Sequence, residues 1–163
     1  MENKIPVTVL PAQVSDLQAT TSWQTDWTSD AAQHMPNKVA LRRKDTDELL
    51  GLMSYEANDS FLAVEVIYIE SAAHSNANLL HINAARKRYV GIAKALFAHA
   101  IEQSLNAGFD GVLMFKAKTS ELLEYYIRHF GARQVSSYDP FRLVIWEDAA
   151  ERLISDYRRE RHE

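Results

Sequence analysis

The sequence predicts a mixed α/β domain: a central mixed, mostly antiparallel β-sheet flanked by helices. Three observations lead there. Lys38–Arg43, Leu49–Glu56 and Phe61–Glu70 read as strands separated only by short turns at Asp45-Thr46-Asp47 and Asn58-Asp59. Such spacing predicts an antiparallel meander. Phe61–Glu70 is almost continuously apolar, which places it in the middle of a sheet. The helical pattern from Tyr89 to Asn106 then lies between that strand and another at Gly111–Phe115. A strand–helix–strand crossover joins parallel neighbours, so the sheet is mixed.

The remaining elements follow in order. Ile5–Leu10 alternates as a short strand stopped by Pro11. Ser15 with Gln18 is a capping-box pattern, and Leu17, Trp23 and Trp27 fall roughly on one helical face. Asp30 with Gln33 predicts a second short helix ending before Pro36. Ala72–Lys87 is a long loop of small and polar residues, with a helical turn around Leu79-Leu80. In the helix at Tyr89–Asn106, Ile92, Leu96, Phe97, Ala100, Ile101 and Leu105 form the buried side, and Gly108 closes it. Thr119 begins a helix carrying Leu122, Leu123, Tyr126, Ile127 and Phe130, ended by Gly131. Ala132–Ser136 and Phe141–Trp146 are strands with Pro140 in their turn, and Asp148 with Glu151 opens a final helix.

Composition narrows the function. The 163 residues suit a single domain, 1–163, and 47% hydrophobic with 25% charged is ordinary globular material. There is no cysteine, so disulfides, thiolate nucleophiles and cysteine zinc sites are excluded. The net charge of −4 argues against a nucleic-acid partner and suits an amine-bearing substrate. No apolar run reaches membrane-span length and no basic-then-apolar leader opens the chain, so the expectation is a cytoplasmic protein with no membrane partner. The six histidines make no i, i+4 pair, so no metal is expected. The glycine-rich dinucleotide, P-loop and nucleophile-elbow patterns are all missing.

The stretch that carries chemistry is Arg88-Tyr89-Val90-Gly91-Ile92-Ala93, where a loop becomes the first turn of a helix. Such a turn offers unpaired N–H groups and the positive end of the helix dipole, a site suited to phosphate. Gly91 lets a ligand oxygen approach the backbone, Arg88 can add a bidentate contact and Lys94 a point charge. The spacing resembles Arg/Gln-x-x-Gly-x-Gly/Ala, the coenzyme A pyrophosphate loop of the GNAT N-acetyltransferase superfamily, with Ala93 in the last slot. Arg86-Lys87-Arg88 then reads as the edge of that site, near the 3′-phosphate. A second stretch, Ala117–Ala132, resembles the helix that bears the family's tyrosine. Tyr126 stands five residues before Gly131 where four is commoner, and the slot at four holds Ile127; Tyr125 is the fallback. The long Ala72–Lys87 connection departs from the commonest family pattern and reads as an insertion.

The resemblance implies splayed parallel strands at the sheet centre, with pantetheine in the gap. It implies cofactor contacts at Ile69, Ser71, Arg88, Tyr89, Val90, Gly91, Ile92, Ala93 and Lys94. Acetyl-CoA is the implied cosubstrate, and the implied partner is a small-molecule or peptide amine, with a homodimer left open. Tyr126 would protonate the departing thiolate, and Glu70 or Glu65 would take the amine proton. The two carboxylates are an odd number apart, so a regular strand points them to opposite faces. A non-catalytic acyl-CoA-binding or regulatory module on the same fold is the alternative.

Overall fold

The computed structural model describes residues 5–76 and 91–162. Its elements are β1 (Val7–Pro11), α1 (Val14–Gln18), α2 (Asp30–Gln33), β2 (Lys38–Arg43), β3 (Leu49–Asn58), β4 (Ala63–Ser71), a 3₁₀ turn (Ala73–Ser75), α3 (Ile92–Asn106), β5 (Leu113–Lys116), α4 (Ser120–Phe130), β6 (Arg133–Gln134), β7 (Arg142–Ile145) and α5 (Glu147–His162). The strands form a seven-stranded sheet in the order β1-β2-β3-β4-β5-β7-β6. β1–β2, β2–β3, β5–β7 and β6–β7 pair antiparallel, and β4–β5 pair parallel. This is the mixed, mostly antiparallel sheet the sequence predicts. Tyr89, Val90, Arg86-Lys87-Arg88 and the turn expected at Leu79-Leu80 lie outside the described residues. The chain packs as two compact units, Met1–Ser54 with Tyr68–Leu96, and Tyr55–Ile67 with Phe97–Glu163.

In the first unit, the Gln13 N–H donates to Asp16 Oδ2 at 2.7 Å and opens α1 two residues before the predicted cap. Asp16 is buried and pairs with Arg42 of β2, which ties the helix to the sheet. α1 ends at Gln18, so Trp23 and Trp27 sit in turns, not on a helical face. Trp27 is nonetheless fully buried, against Ala40 and Leu52. At the far end of α2, Lys38 Nζ donates to the carbonyls of Ala32 at 3.0 Å and Met35 at 2.9 Å, a cation at the negative end of the helix. α3 begins directly on β3: a Cβ on Gly51 would stand 2.8 Å from Ile92 Cγ2 and 3.2 Å from Leu96 Cδ1.

In the second unit, Phe97, Ala100 and Ile101 line the buried side of α3. The helix ends in a Schellman arrangement, with Gly108 at φ +84°, its N–H on the Leu105 carbonyl at 3.1 Å and the Phe109 N–H on the Ser104 carbonyl at 2.9 Å. Leu105, expected inside, is 47% exposed because it sits on the last turn, where the chain leaves the sheet. β4 starts at Ala63, not Phe61: Asn58 Oδ1 accepts the N–H groups of Ser60 and Phe61, and Leu62 sits at φ +53°. β6 keeps only two of the five predicted residues, since Ser136 Oγ accepts the Tyr138 and Asp139 N–H groups and turns the chain. Thr119 caps α4 as predicted, its Oγ1 accepting the Leu122 N–H at 3.1 Å.

Gly131 adopts φ +69°, and a Cβ there would stand 2.9 Å from Ala149 Cβ of α5. Gly108 is equally left-handed, but a Cβ there meets nothing within 4 Å. Gly108→Ala should therefore cost only backbone strain, about 1 kcal/mol in urea unfolding. Gly131→Ala should cost about 2–4 kcal/mol, because overpacking adds to strain. Equal costs would show that α4 and α5 do not meet at this glycine.

Candidate functional site

Gly91 is exposed at φ +80°, with nothing within 4 Å of where a Cβ would be. Its carbonyl accepts the Ala95 N–H at 3.1 Å, the first hydrogen bond of the helix. That leaves the Ile92 and Ala93 N–H groups without a partner among the described residues. Ile92 is buried on Gly51, so the turn is seated by packing, while Ala93 and Lys94 are half-buried. Arg88, Tyr89 and Val90 of the same motif lie outside the described residues.

The end of β4 belongs to the same unit. Ile69 and Ser71 are half-buried there, and the Ala72 N–H reaches the Leu50 carbonyl of β3 at 2.8 Å. Glu70 between them is only 3% exposed. Its Oε1 accepts the Trp27 indole N–H at 3.0 Å, and its Oε2 accepts the Gln24 N–H at 2.7 Å and the Thr25 N–H at 3.3 Å. Two residues earlier, the Tyr68 hydroxyl is 2.5 Å from Thr25 Oγ1, and its ring meets Trp27 edge-on at 5.5 Å. These partners were not visible in the sequence. The apolar spacing marked Trp27 as core, but nothing in it marked the turn at 24–27 as a set of N–H donors.

Beyond that strand end, His74 Nδ1 is 2.7 Å from Ser75 Oγ, and His74 Nε2 is 3.2 Å from Glu48 Oε2. Asn76 Nδ2 donates to Gln24 Oε1 at 3.1 Å. The start of the long polar connection is thus tied to β3's hairpin and to the turn before α2.

The second unit holds the parallel seam. β4 and β5 are in register at Val64↔Leu113 and Glu65↔Met114, and both strands run on past those pairs, to Ser71 and Lys116. On the other side, β5 pairs with β7 along its whole length. Glu65, half-buried, shares a face with its partner Met114, while the next residue, Phe115, points to the opposite face. On that opposite face lies Tyr126 of α4, 6% exposed. Its ring sits 5.1 Å from Phe115, 5.4 Å from Phe97 and 5.5 Å from Phe130. Its hydroxyl has no hydrogen-bond partner among the described residues. Burial, with a smaller contribution from Tyr125, pushes this phenol up to about 12, so it stays protonated at any working pH. Tyr125 and Ile127, its neighbours in sequence, face outward. Among the described residues no group of His, Asp and Glu is placed to hold a metal ion, and no helix is long and apolar enough to cross a membrane.

No protein-family model and no curated protein matches the chain. Solved structures do. A GNAT-family acetyltransferase from Listeria monocytogenes superposes with a TM-score of 0.55 at 11% identity, over 85% of this chain and 93% of that one. AtaTR bound with AcCoA matches with a TM-score of 0.58 at 14% identity, over 91% and 98%. AtaT complexed with acetyl-methionyl-tRNAfMet matches with a TM-score of 0.55 at 13% identity, over 90% and 98%. Sheet order, the parallel β4–β5 pair beside the crossover helix and these likenesses agree: the chain has the fold of the GNAT acetyltransferases.

Proposed function

We propose that this chain is an N-acetyltransferase that uses acetyl-CoA as cosubstrate and passes the acetyl group to a primary amine by direct attack. The observation that carries the reading is the parallel seam. It stops after Glu65↔Met114 while both strands continue, and Tyr126 stands buried against Phe115 on one face. An extended pantetheine amide chain can lie along strands that part in this way.

In this reading the pyrophosphate sits on the Ile92 and Ala93 N–H groups, with Gly91 allowing close approach. Lys94 and the Arg88-Tyr89-Val90 segment complete the loop. Ile69 and Ser71, at the end of β4, border the acyl end of the cosubstrate. Tyr126, a protonated phenol, gives its proton to the departing thiolate as the C–S bond breaks. Glu65, on the opposite face from Tyr126, takes the proton of the attacking amine. The AtaTR likeness, a fold solved with AcCoA, supports the cosubstrate. The net charge of −4 favours a cationic amine.

Thiol release from acetyl-CoA against a panel of amines tests the reading. The panel spans small amines, aminoglycosides, amino acids, peptides and, because AtaT is solved with acetyl-methionyl-tRNAfMet, an aminoacyl-tRNA. Transfer to at least one is expected; tight acetyl-CoA binding with no transfer to any would favour the non-catalytic module. Tyr126→Phe should lower turnover by about 10²-fold or more and leave acetyl-CoA affinity within a few-fold. Full activity in that variant would remove the tyrosine from the mechanism.

The same residue predicts a stability profile. Its folded value lies above the ordinary tyrosine value of 10, so its contribution is present below pH 10 and is lost as pH rises toward about 12. Wild type should lose on the order of 2 kcal/mol more stability than Tyr126→Phe across that window. Parallel losses in chemical denaturation would contradict the burial of the phenol.

A further inference from the structure

We propose that Glu70 is a positioning residue that fixes residues 24–27 as the acceptor-side wall, and is not the group that takes the amine proton. The proposal rests on the acetyltransferase reading above, and it stands on the geometry around the end of β4.

The stretch from Thr20 to Ser29 forms neither helix nor strand, so no ladder pairs its N–H groups. Glu70 supplies what a ladder would. One oxygen takes the Trp27 indole and the other takes two consecutive main-chain N–H groups, those of Gln24 and Thr25. Tyr68 braces the same turn through Thr25 Oγ1 and the Trp27 ring, Asn76 holds the Gln24 side chain, and Thr20 Oγ1 accepts the Trp27 N–H at 3.1 Å. A charge 3% exposed is tolerated only with such compensation. Both Glu70 oxygens already accept and the residue is only 3% exposed, so its carboxylate is engaged in holding the turn.

Position gives the tether its meaning. Glu70 lies between Ile69 and Ser71, the backbone assigned to the acyl end. The turn hung from its side chain therefore borders the place where an amine would arrive. Gln24 is exposed and Trp23 and Thr25 are half-buried, so part of this turn is open to solvent. A change at Glu70 moves the wall and leaves the α3 phosphate turn, built on Gly91, Ile92 and Gly51, in place.

Two measurements test this. Amide exchange followed by NMR should show Gln24 and Thr25 exchanging about 10-fold or more faster in Glu70→Gln than in wild type, with Val39–Leu41 of β2 unchanged. Trp27→Phe, which deletes one donor and keeps a ring, should show a smaller rise, about 3-fold, and guards against a Glu70 variant that fails to fold. Unchanged exchange at Gln24 and Thr25 in both variants overturns the tether. With the best amine from the panel, Glu70→Gln should raise the acceptor KM about 10-fold or more. Its acetyl-CoA affinity should stay within about 2-fold, and the acidic limb of kcat/KM against pH should remain. Loss of that limb with an unchanged KM makes Glu70 the base and overturns the proposal. If wild type transfers acetyl to nothing, the function reading has failed, and the exchange measurement still decides the tether.

Discussion

Two register pairs, Val64↔Leu113 and Glu65↔Met114, make up the whole parallel seam between β4 and β5. So short a seam is weak on its own. β5 is secured from the other side by its full antiparallel ladder with β7, and beneath by the ring cluster of Phe97, Phe115, Tyr126 and Phe130. With β5 secured this way, the seam can end early. The aromatic cluster has two consequences. It fills the core under β5, and it holds one phenol dry, neutral and, among the described residues, without a hydrogen-bond partner.

The first unit shows the opposite economy. A carboxylate is buried at the end of β4, and the desolvation it suffers is offset by three N–H donors from a turn that lacks regular structure. The buried carboxylate specifies where the turn lies, and the turn satisfies the carboxylate's hydrogen-bonding needs. Gly51 plays a related part through absence of atoms: only a residue without Cβ lets Ile92 and Leu96 bring the first turn of α3 down onto β3. The N–H groups at Ile92 and Ala93 are thereby fixed with respect to the strand below them.

Most of the fold was legible because it rests on period and punctuation. The meander followed from three apolar runs and two polar turns. The α3 C-terminus followed from Gly108, and α4 from Thr119 and Gly131, because caps are local chemistry. The misplacements have local causes too. Phe61 and Leu62 look like strand residues, but Asn58 accepts the N–H groups of the turn and delays β4 to Ala63. Ser136 does the same to β6. Trp23 and Trp27 fit a helical period, yet they lie in turns, because Trp27 is placed by a carboxylate more than forty residues away. The turn at 24–27 and the His74–Ser75–Glu48 chain were illegible for the same reason: long-range hydrogen bonds leave no mark on spacing. Tyr126 was legible as a candidate. That it is the inward residue, with Tyr125 and Ile127 outside, follows from α4 meeting the sheet at Phe115.

The central claim is that acetyl-CoA lies with its diphosphate on the first turn of α3 and its pantetheine arm along the main chain of β4. A crystal structure of the protein with coenzyme A tests it most directly. The account predicts diphosphate oxygens at hydrogen-bond distance from the Ile92 and Ala93 N–H groups, and amide pairing with β4 past Glu65. Coenzyme A bound elsewhere, or those two N–H groups covered by protein side chains, would contradict it.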